Sequence, residues 1–221
     1  MPTTIDQWSP LTEHVQDDIP SSGSFLDAKT VLFAAGPSRL SKGGSGGQAN
    51  VAYPIGVLEN VMIGQNKVLQ RIFEIGSIRS YFVPGRTIGQ FSIGRTMYNG
   101  RNLLRVFYEK IIEGGKLPNG KMPRLDPGAS LTDEFWINMA SDVFNYPFGL
   151  LAYIVDNNLN SYGGMYLEEC YFQGHQLSIN SQSTAIVEGT SGQFDLCIPV
   201  KVPKGALKSA QSNPLQPVVI T

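Results

Sequence analysis

The stretch Val68-Leu-Gln-Arg-Ile-Phe-Glu-Ile-Gly-Ser-Ile-Arg-Ser-Tyr-Phe-Val-Pro-Gly-Arg-Thr87 decides how this chain is read, because its side chains alternate with a period of two between turn residues. Val68, Gln70, Ile72 and Glu74 alternate against Leu69, Arg71, Phe73 and Ile75. Gly76-Ser77 breaks the run, and Ile78, Ser80 and Phe82 then alternate against Arg79, Tyr81 and Val83. The pattern predicts a hairpin. Pro84-Gly85 reads as a further turn, with proline fixing φ and glycine tolerating positive φ, and Thr87, Gly89, Phe91 and Ile93 restart the alternation. A three-strand meander is therefore expected. After Asn99-Gly100 the apolar spacing becomes Leu103, Leu104, Phe107, Ile111, one face of a helix near 101–113. Asn99 or Asn102 is available as its cap and Gly114-Gly115 as its stop.

Charge in this region is one-sided. Between Lys67 and Arg105 stand seven basic residues (Lys67, Arg71, Arg79, Arg86, Arg95, Arg101, Arg105) and one acid, Glu74, in a chain of net charge −1. Residues 1–27, by contrast, hold five acids (Asp6, Glu13, Asp17, Asp18, Asp27) and no Lys or Arg. Three readings of the basic stretch stand open: a contact with the acidic arm of a neighbouring copy, a contact with nucleic acid, or a solvated sheet face. Under the first, the candidate subunit contacts are Arg79 and Arg86 on one side and Trp8, Asp17 and Asp18 on the other.

At 221 residues and 42% hydrophobic content the chain is long enough for one β-rich domain with extensions. Charged residues make up only 16%, below the roughly 25% of ordinary soluble domains, and Gly and Pro are abundant. Such a surface suits subunit contacts. No apolar run approaches the ~18 residues that cross a bilayer, and the N-terminus lacks a basic start and apolar core, so neither membrane insertion nor export by a signal peptide is expected. Cys170 and Cys197 are the only cysteines. With His14 and His175 they make neither a disulfide framework nor a zinc site, and buried free thiols are the expectation.

Along the chain the order is arm, core, tail. Residues 1–29 read as an extended arm, with Pro2, Pro10 and Pro20 and with Ile5, Trp8, Leu11, Val15 and Ile19 spaced too irregularly for a helix. The β-rich domain is placed at 30–202 and begins with a strand at Thr30 to Ala35. Ser41 to Gln48 has linker composition; Lys42 precedes the glycines, the reverse of a phosphate-binding loop. Leu117 to Gly128 reads as a loop, and a second helix is expected near 132–145, capped by Ser130 or Thr132 and stopped by Pro147. Strands follow at Leu150–Val155, Met165–Phe172, His175–Ile179, Thr184–Glu188 and Gln193–Val200. Gln173-Gly174 reads as a hairpin turn with His175 just after it. Residues 203–221 form a Ser/Gln/Pro-rich tail, expected to be mobile or to dock on a partner.

No catalytic constellation emerges. There is no Gly-x-Ser-x-Gly elbow, no His-Glu-x-x-His, no calcium loop and no dinucleotide-binding glycine triplet. Glu168 and Glu169 are adjacent on a strand and point to opposite faces, one on a polar face and one as an edge charge. The expectation is a non-enzymatic protein that uses no cofactor. A ligand-binding β-barrel remains an alternative on the same alternation.

Three segments carry a resemblance: Val68 to Thr87 with its Phe73-Glu-Ile-Gly-Ser77; Tyr166-Leu-Glu-Glu-Cys-Tyr-Phe-Gln-Gly-His-Gln-Leu-Ser-Ile-Asn180; and Ile186-Val-Glu-Gly-Thr-Ser-Gly-Gln-Phe-Asp195. Over roughly residues 60–200 the pattern resembles the tail-tube proteins of long-tailed bacteriophages, contractile or flexible, including related baseplate or tube-end ring proteins. That resemblance implies a mainly β fold with flanking helices (α+β), built as two packed antiparallel sheets or a β-barrel of tail-tube type. It further implies homo-oligomeric, hexameric rings stacked into a tube that contacts sheath or baseplate proteins. Phage DNA would transit the channel without specific binding, and the protein would be made in the host cytoplasm and reside in the virion tail. The long arm, second helix and C-terminal tail depart from the smallest members and leave two roles open, the repeating tube subunit and a specialised ring at the tube's end.

Overall fold

Alternation carries most of the chain into long strands. A computed structural model describes residues 31–40, 50–55, 58–76, 78–97, 102–108, 119, 121, 139–155, 161–179, 185–201 and 218–220. Its elements are β1 (Val31–Gly36), β2 (Asn50–Pro54), β3 (Asn60–Phe73), β4 (Ser80–Thr96), α1 (Leu103–Tyr108), β5 (Phe148–Val155), β6 (Ser161–Ser178), β7 (Val187–Phe194), β8 (Leu196–Val200) and β9 (Val218–Ile220). A single 3-10 turn is described at Asp142–Asn145. The strands follow one hydrogen-bonded path, β3-β4-β7-β6-β5-β1-β2-β9, with β8 also on β6. Every pairing is antiparallel. The mainly β expectation holds. The barrel alternative does not, because β3 and β9, at the two ends of the path, are not paired with each other.

β6 joins the two halves of this path. Its first part pairs with β5 and β8, and from Tyr171 onward it pairs with β7. Between these parts the register slips: Leu150 faces Leu167 but Phe148 faces Cys170, so β6 carries an extra residue. Glu169 lies at that point with φ 52, in the left-handed region. On the inner side, Phe91 and Ile93 of β4 and Phe194 of β7 share one core with Ala35 of β1, Phe148 and Leu150 of β5, Leu167 and Cys170 of β6, and Leu103 and Phe107 of α1. Phe148 stacks on Phe172 at 4.6 Å between ring centroids and meets Phe107 at 4.8 Å and Phe91 at 5.9 Å. Cys170 is free and buried within this core, where desolvation pushes its thiol up and keeps it unreactive.

Several expected boundaries move. Pro84-Gly85 does not turn the chain: Ser80–Thr96 is one strand, and the expected meander is a two-stranded ribbon. Proline is tolerated there because β4 pairs with β7 only over Gly89–Thr96, so the missing N–H leaves no ladder bond unmade on that side. Gln173-Gly174 is likewise no hairpin turn. Ser161–Ser178 is continuous, and Gly174 falls at a register shift against β7. The helix expected near 101–113 is described over Leu103–Tyr108, where Asn102 caps it by accepting the Arg105 N–H at 3.1 Å through Oδ1. Of the helix expected near 132–145, residues 132–138 lie outside the described residues and Asp142–Asn145 forms a 3-10 turn. Within the tail, Val218–Ile220 pairs with β2 of the same chain, so that piece is an integral strand.

Two glycines leave room for the core. A Cβ at Gly89 would collide with the Phe194 ring. One at Gly192 would lie 2.5 Å from the Phe91 ring and collide with the Tyr171 carbonyl. Gly192→Ala is expected to lower stability by about 1–3 kcal/mol, since the obstructing oxygen is backbone and cannot rotate away. Gly64→Ala, with nothing within 4 Å of its Cβ, should stay within about 0.5 kcal/mol of the parent. Urea midpoints of the two variants check this, and equal losses would show that the aromatic packing is looser than described.

Candidate assembly interface

The β3–β4 pairing has an inner part and an outer part. From Asn60 to Gln65 and Gly89 to Thr96 it belongs to the body, where Val61 and Ile63 pack on the core beside Phe91 and Ile93. Outward from there, β4 has lost β7 and the hairpin continues alone to Phe73 and Ser80. At a strand rise of ~3.3 Å per residue this ribbon reaches about 26 Å beyond Gln65. Every described residue from Gly64 to Ile88 except Ser80 is exposed on it.

The ribbon carries apolar side chains on both faces. The register Leu69↔Pro84, Arg71↔Phe82 and Phe73↔Ser80 puts Leu69, Arg71, Phe73, Phe82 and Pro84 on one face. Gln70↔Val83 and Ile72↔Tyr81 put Ile72, Tyr81 and Val83 on the other. Ile75 and Ile78 stand fully exposed at the tip. A two-stranded hairpin with no third strand and no covered face is marginal in water, and a contiguous apolar surface of this kind marks an interaction site.

Its cations are Lys67, Arg71, Arg79 and Arg86, against Glu74 alone. Arg71 is held in place, its guanidinium carbon 5.2 Å from the Phe73 centroid and 5.4 Å from that of Phe82, while its Nε donates to Ser80 Oγ at 2.7 Å. Of the proposed contact residues, the structure places Arg79 beside the ribbon tip and Arg86 at the register shift on β4, both exposed. Trp8, Asp17 and Asp18 lie outside the described residues.

Arg95 leaves the basic face. It is buried, and its Nε lies 3.3 Å from Glu188 Oε2. Glu188, fully buried, also accepts the Leu103 N–H at the start of α1 (2.9 Å to Oε2) and lies 2.9 Å from His175 Nε2. His175, expected after a turn, is thus a strand residue with a largely covered side chain. An ionised carboxylate can only accept, so Nε2 carries the hydrogen of that bond. Burial alone would push the Glu188 carboxyl up; the hydrogen bonds from His175 and Leu103 and the Arg95 charge outweigh it and hold the carboxyl below its ordinary value. No local sequence pattern announces this cluster. The available signal was that Glu188 is the sole charge in the strand Val187–Phe194, a position that needs a partner if buried. Glu168 and Glu169 are engaged too: Glu168 Oε1 accepts the Leu40 N–H at 2.8 Å, and Glu169 pairs with Arg39 at 2.6 Å.

The outer face of β3-β4-β7-β6 has a different character. Asn60, Met62, Gly64 and Asn66 of β3, Ile88, Gln90, Ser92 and Gly94 of β4, Gly189, Ser191 and Gln193 of β7, and Gln176 and Ser178 of β6 share it by register. None of these residues is charged. A dent of about 150 Å³ on this sheet, lined by Ser92, Gly174, His175, Gln176, Gly189, Thr190 and Ser191, is small for a ligand pocket. Among the described residues no cluster of His, Cys, Asp and Glu stands ready for a metal, and no helix is long and apolar enough to cross a membrane.

No family model matches the chain, and no curated protein matches it. In structure it is similar to components of phage tails and contractile injection systems. One is in the sixfold-symmetrised anti-feeding prophage baseplate, at TM-score 0.48 and 6% identity, covering 77% of this chain and 91% of that one. Another is in the SPP1 tail tube, at TM-score 0.46 and 10% identity, covering 79% and 78%. A third is in the extended sheath-tube complex of the PVC extracellular contractile injection system, at TM-score 0.43 and 10% identity, covering 85% and 97%.

The Glu188 cluster sets a pH dependence. A carboxyl whose folded pKa lies below its unfolded value near 4.3 contributes stability in full above that value and loses it as pH falls through the folded pKa. Glu188→Gln should therefore be less stable than the parent at neutral pH, by about 3 kcal/mol for a broken buried pair. The gap should narrow below about pH 4, where protonation costs the parent the same ionic contacts. Denaturant midpoints from neutral to acid pH check this; a gap that does not change with pH would mean that the carboxylate charge is not what the cluster uses.

Proposed function

We propose that this chain is a structural subunit of a phage-type tail, either the repeating subunit of the tube or a ring at its baseplate or terminal end. One observation carries the reading: β3-β4-β7-β6 is a four-stranded antiparallel block whose two outer edges, β3 and the β7-pairing part of β6, have no further strand among the described residues. With an even number of strands these edges run in opposite directions. The β6 edge of one copy can therefore accept the β3 edge of the next as one more antiparallel pair. Such a contact is heterologous and closes into a ring when the rotation closes, which removes the open edges a long strand otherwise exposes. The sequence resemblance of Val68–Thr87, Tyr166–Asn180 and Ile186–Asp195 falls on the strands of this block and supplies the expectation of six copies.

The uncharged outer face of the block suits a channel wall. Nucleic acid is retained by cations that neutralise phosphates, and a face of Asn, Gln, Ser and Gly with Met62 and Ile88 offers none, so DNA would pass without specific binding. The projecting ribbon, apolar on both faces, then bridges between copies, and the remaining surface meets sheath or baseplate proteins. In this reading the protein needs no cofactor, performs no catalysis and resides in the virion tail after synthesis in the host cytoplasm. Inside each subunit the two halves of the sheet act as the two packed layers of the tail-tube fold.

Sedimentation and negative-stain imaging between ~1 µM and ~1 mM test the reading, with concentration-dependent rings or tubes expected by mass action. A compact monomer throughout would overturn it. Ile72→Asp combined with Val83→Asp should raise the assembly threshold by at least about tenfold. Its monomer unfolding temperature should remain unchanged, because both side chains are already exposed in the free subunit.

A further inference from the structure

The two apolar faces of the ribbon do not have the same chemistry. Ile72, Tyr81 and Val83 form a plain apolar face. The opposite face alternates cation with ring and aliphatic carbon: Lys67, Leu69, Arg71, Phe73, Phe82, Pro84. On that face Arg71 is pre-ordered by Phe73, Phe82 and Ser80. Its two terminal NH₂ groups have no partner among the described residues. A guanidinium immobilised with its terminal donors outward is suited to a carboxylate, because the entropy of ordering its side chain is already spent. Lys67, on the same face and nearer the body, extends the positive field, while Arg79 alternates with Tyr81 and Val83 on the other side. The occupant this surface fits is an extended acidic peptide with an aromatic anchor.

Residues 1–27 of this chain have that chemistry, with Asp6, Glu13, Asp17, Asp18 and Asp27, no Lys or Arg, and Trp8. Resting on the self-assembly reading, we propose that the N-terminal arm of one copy lies along the Lys67–Arg71–Phe82–Pro84 face of a neighbouring copy's ribbon. Trp8 packs against the exposed rings, and Asp17 and Asp18 meet the Lys67 and Arg71 charges on that face. The neighbour is the donor because the ribbon runs about 26 Å clear of its own body, and one arm leaves the Ile72–Tyr81–Val83 face to a further subunit. Twenty-seven residues of extended chain span up to about 90 Å, ample for the step between copies.

Two experiments on the full chain test this. First, Trp8 is replaced by a photoreactive benzoylphenylalanine, and the variant is mixed with isotope-labelled wild type before assembly and irradiation. Cross-links between position 8 of one isotope form and residues 67–86 of the other are expected. Cross-links confined to one isotope form, or falling outside the ribbon, overturn the proposal. Second, Lys67→Glu with Arg71→Glu should raise the assembly threshold about tenfold, and adding Asp17→Lys with Asp18→Lys should restore it to within about threefold. A loss that the charge swap does not restore, or that tracks a loss of DNA binding in a gel-shift assay, overturns it. Wild-type chain that stays monomeric removes the assembly reading together with this one. Wild type that assembles without ribbon cross-links removes this one alone.

Discussion

The bend of β6 at Glu168–Glu169 is the constraint on which the rest of the structure depends. A left-handed φ at a residue with a Cβ costs about 1–2 kcal/mol, and here the surroundings hold it in place. The Glu169 N–H donates to the Ser38 carbonyl at 2.9 Å and the Asp195 N–H to the Glu168 carbonyl at 3.1 Å. The two carboxylates, side by side in sequence, bind Leu40 and Arg39 on the segment after β1. The bend thus interrupts β6 and the β7–β8 strand beside it at the same level. One long antiparallel pair can then serve β5 on one side and β4 on the other, and residues of both halves contribute to one aromatic core.

α1 shows how the buried charges serve that arrangement. A helix of six described residues cannot hold its shape by its own hydrogen bonds. Its position comes from Leu103, Leu104, Phe107 and Tyr108 in the core and from Glu188, which accepts the Leu103 N–H while pairing with Arg95 and His175. A buried ion pair adds little net stability over apolar packing. What it adds here is position: β4, β6 and β7 each contribute one member, so helix and sheet are in register only when all of them are in place.

The sequence showed period more clearly than continuity. Alternation located the β3–β4 hairpin with its turn at Gly76, and the 3.6-residue spacing located α1, capped by Asn102, one of the two asparagines the sequence offered. Pro84-Gly85 and Gln173-Gly174 were misread because a bulge and a turn use the same residues, and what separates them is the neighbouring strand. Pro84 faces an open edge, and Gly174 sits at a shift against β7. The Arg95–Glu188 pair is 93 residues apart in sequence, so no local pattern could reveal it, and counting Arg95 into a basic face was the consequence. Arg79 and Arg86 stand out in the sequence because a run of cations with one acid is conspicuous in a nearly neutral chain, and the structure leaves both exposed on the ribbon.

The ribbon shows how one hairpin can be rigid and unsatisfied at once. Its inner part is fixed by Val61, Ile63, Phe91 and Ile93 in the core, so register is set before the strands leave the body. The outer part inherits that register while contributing nothing to the subunit's own core, and it exposes Leu69, Ile72, Phe73, Tyr81 and Phe82 to water. Selection for monomer stability alone would shorten such a hairpin or make its side chains polar, since loss of their contacts costs the isolated chain nothing. Its length and composition are explained if its apolar area is buried elsewhere. Folding of the subunit and association between subunits then draw on separate sets of side chains. In the assembly proposed above, the body sets the ribbon's register before any contact forms, which lowers the ordering cost left for the contact itself.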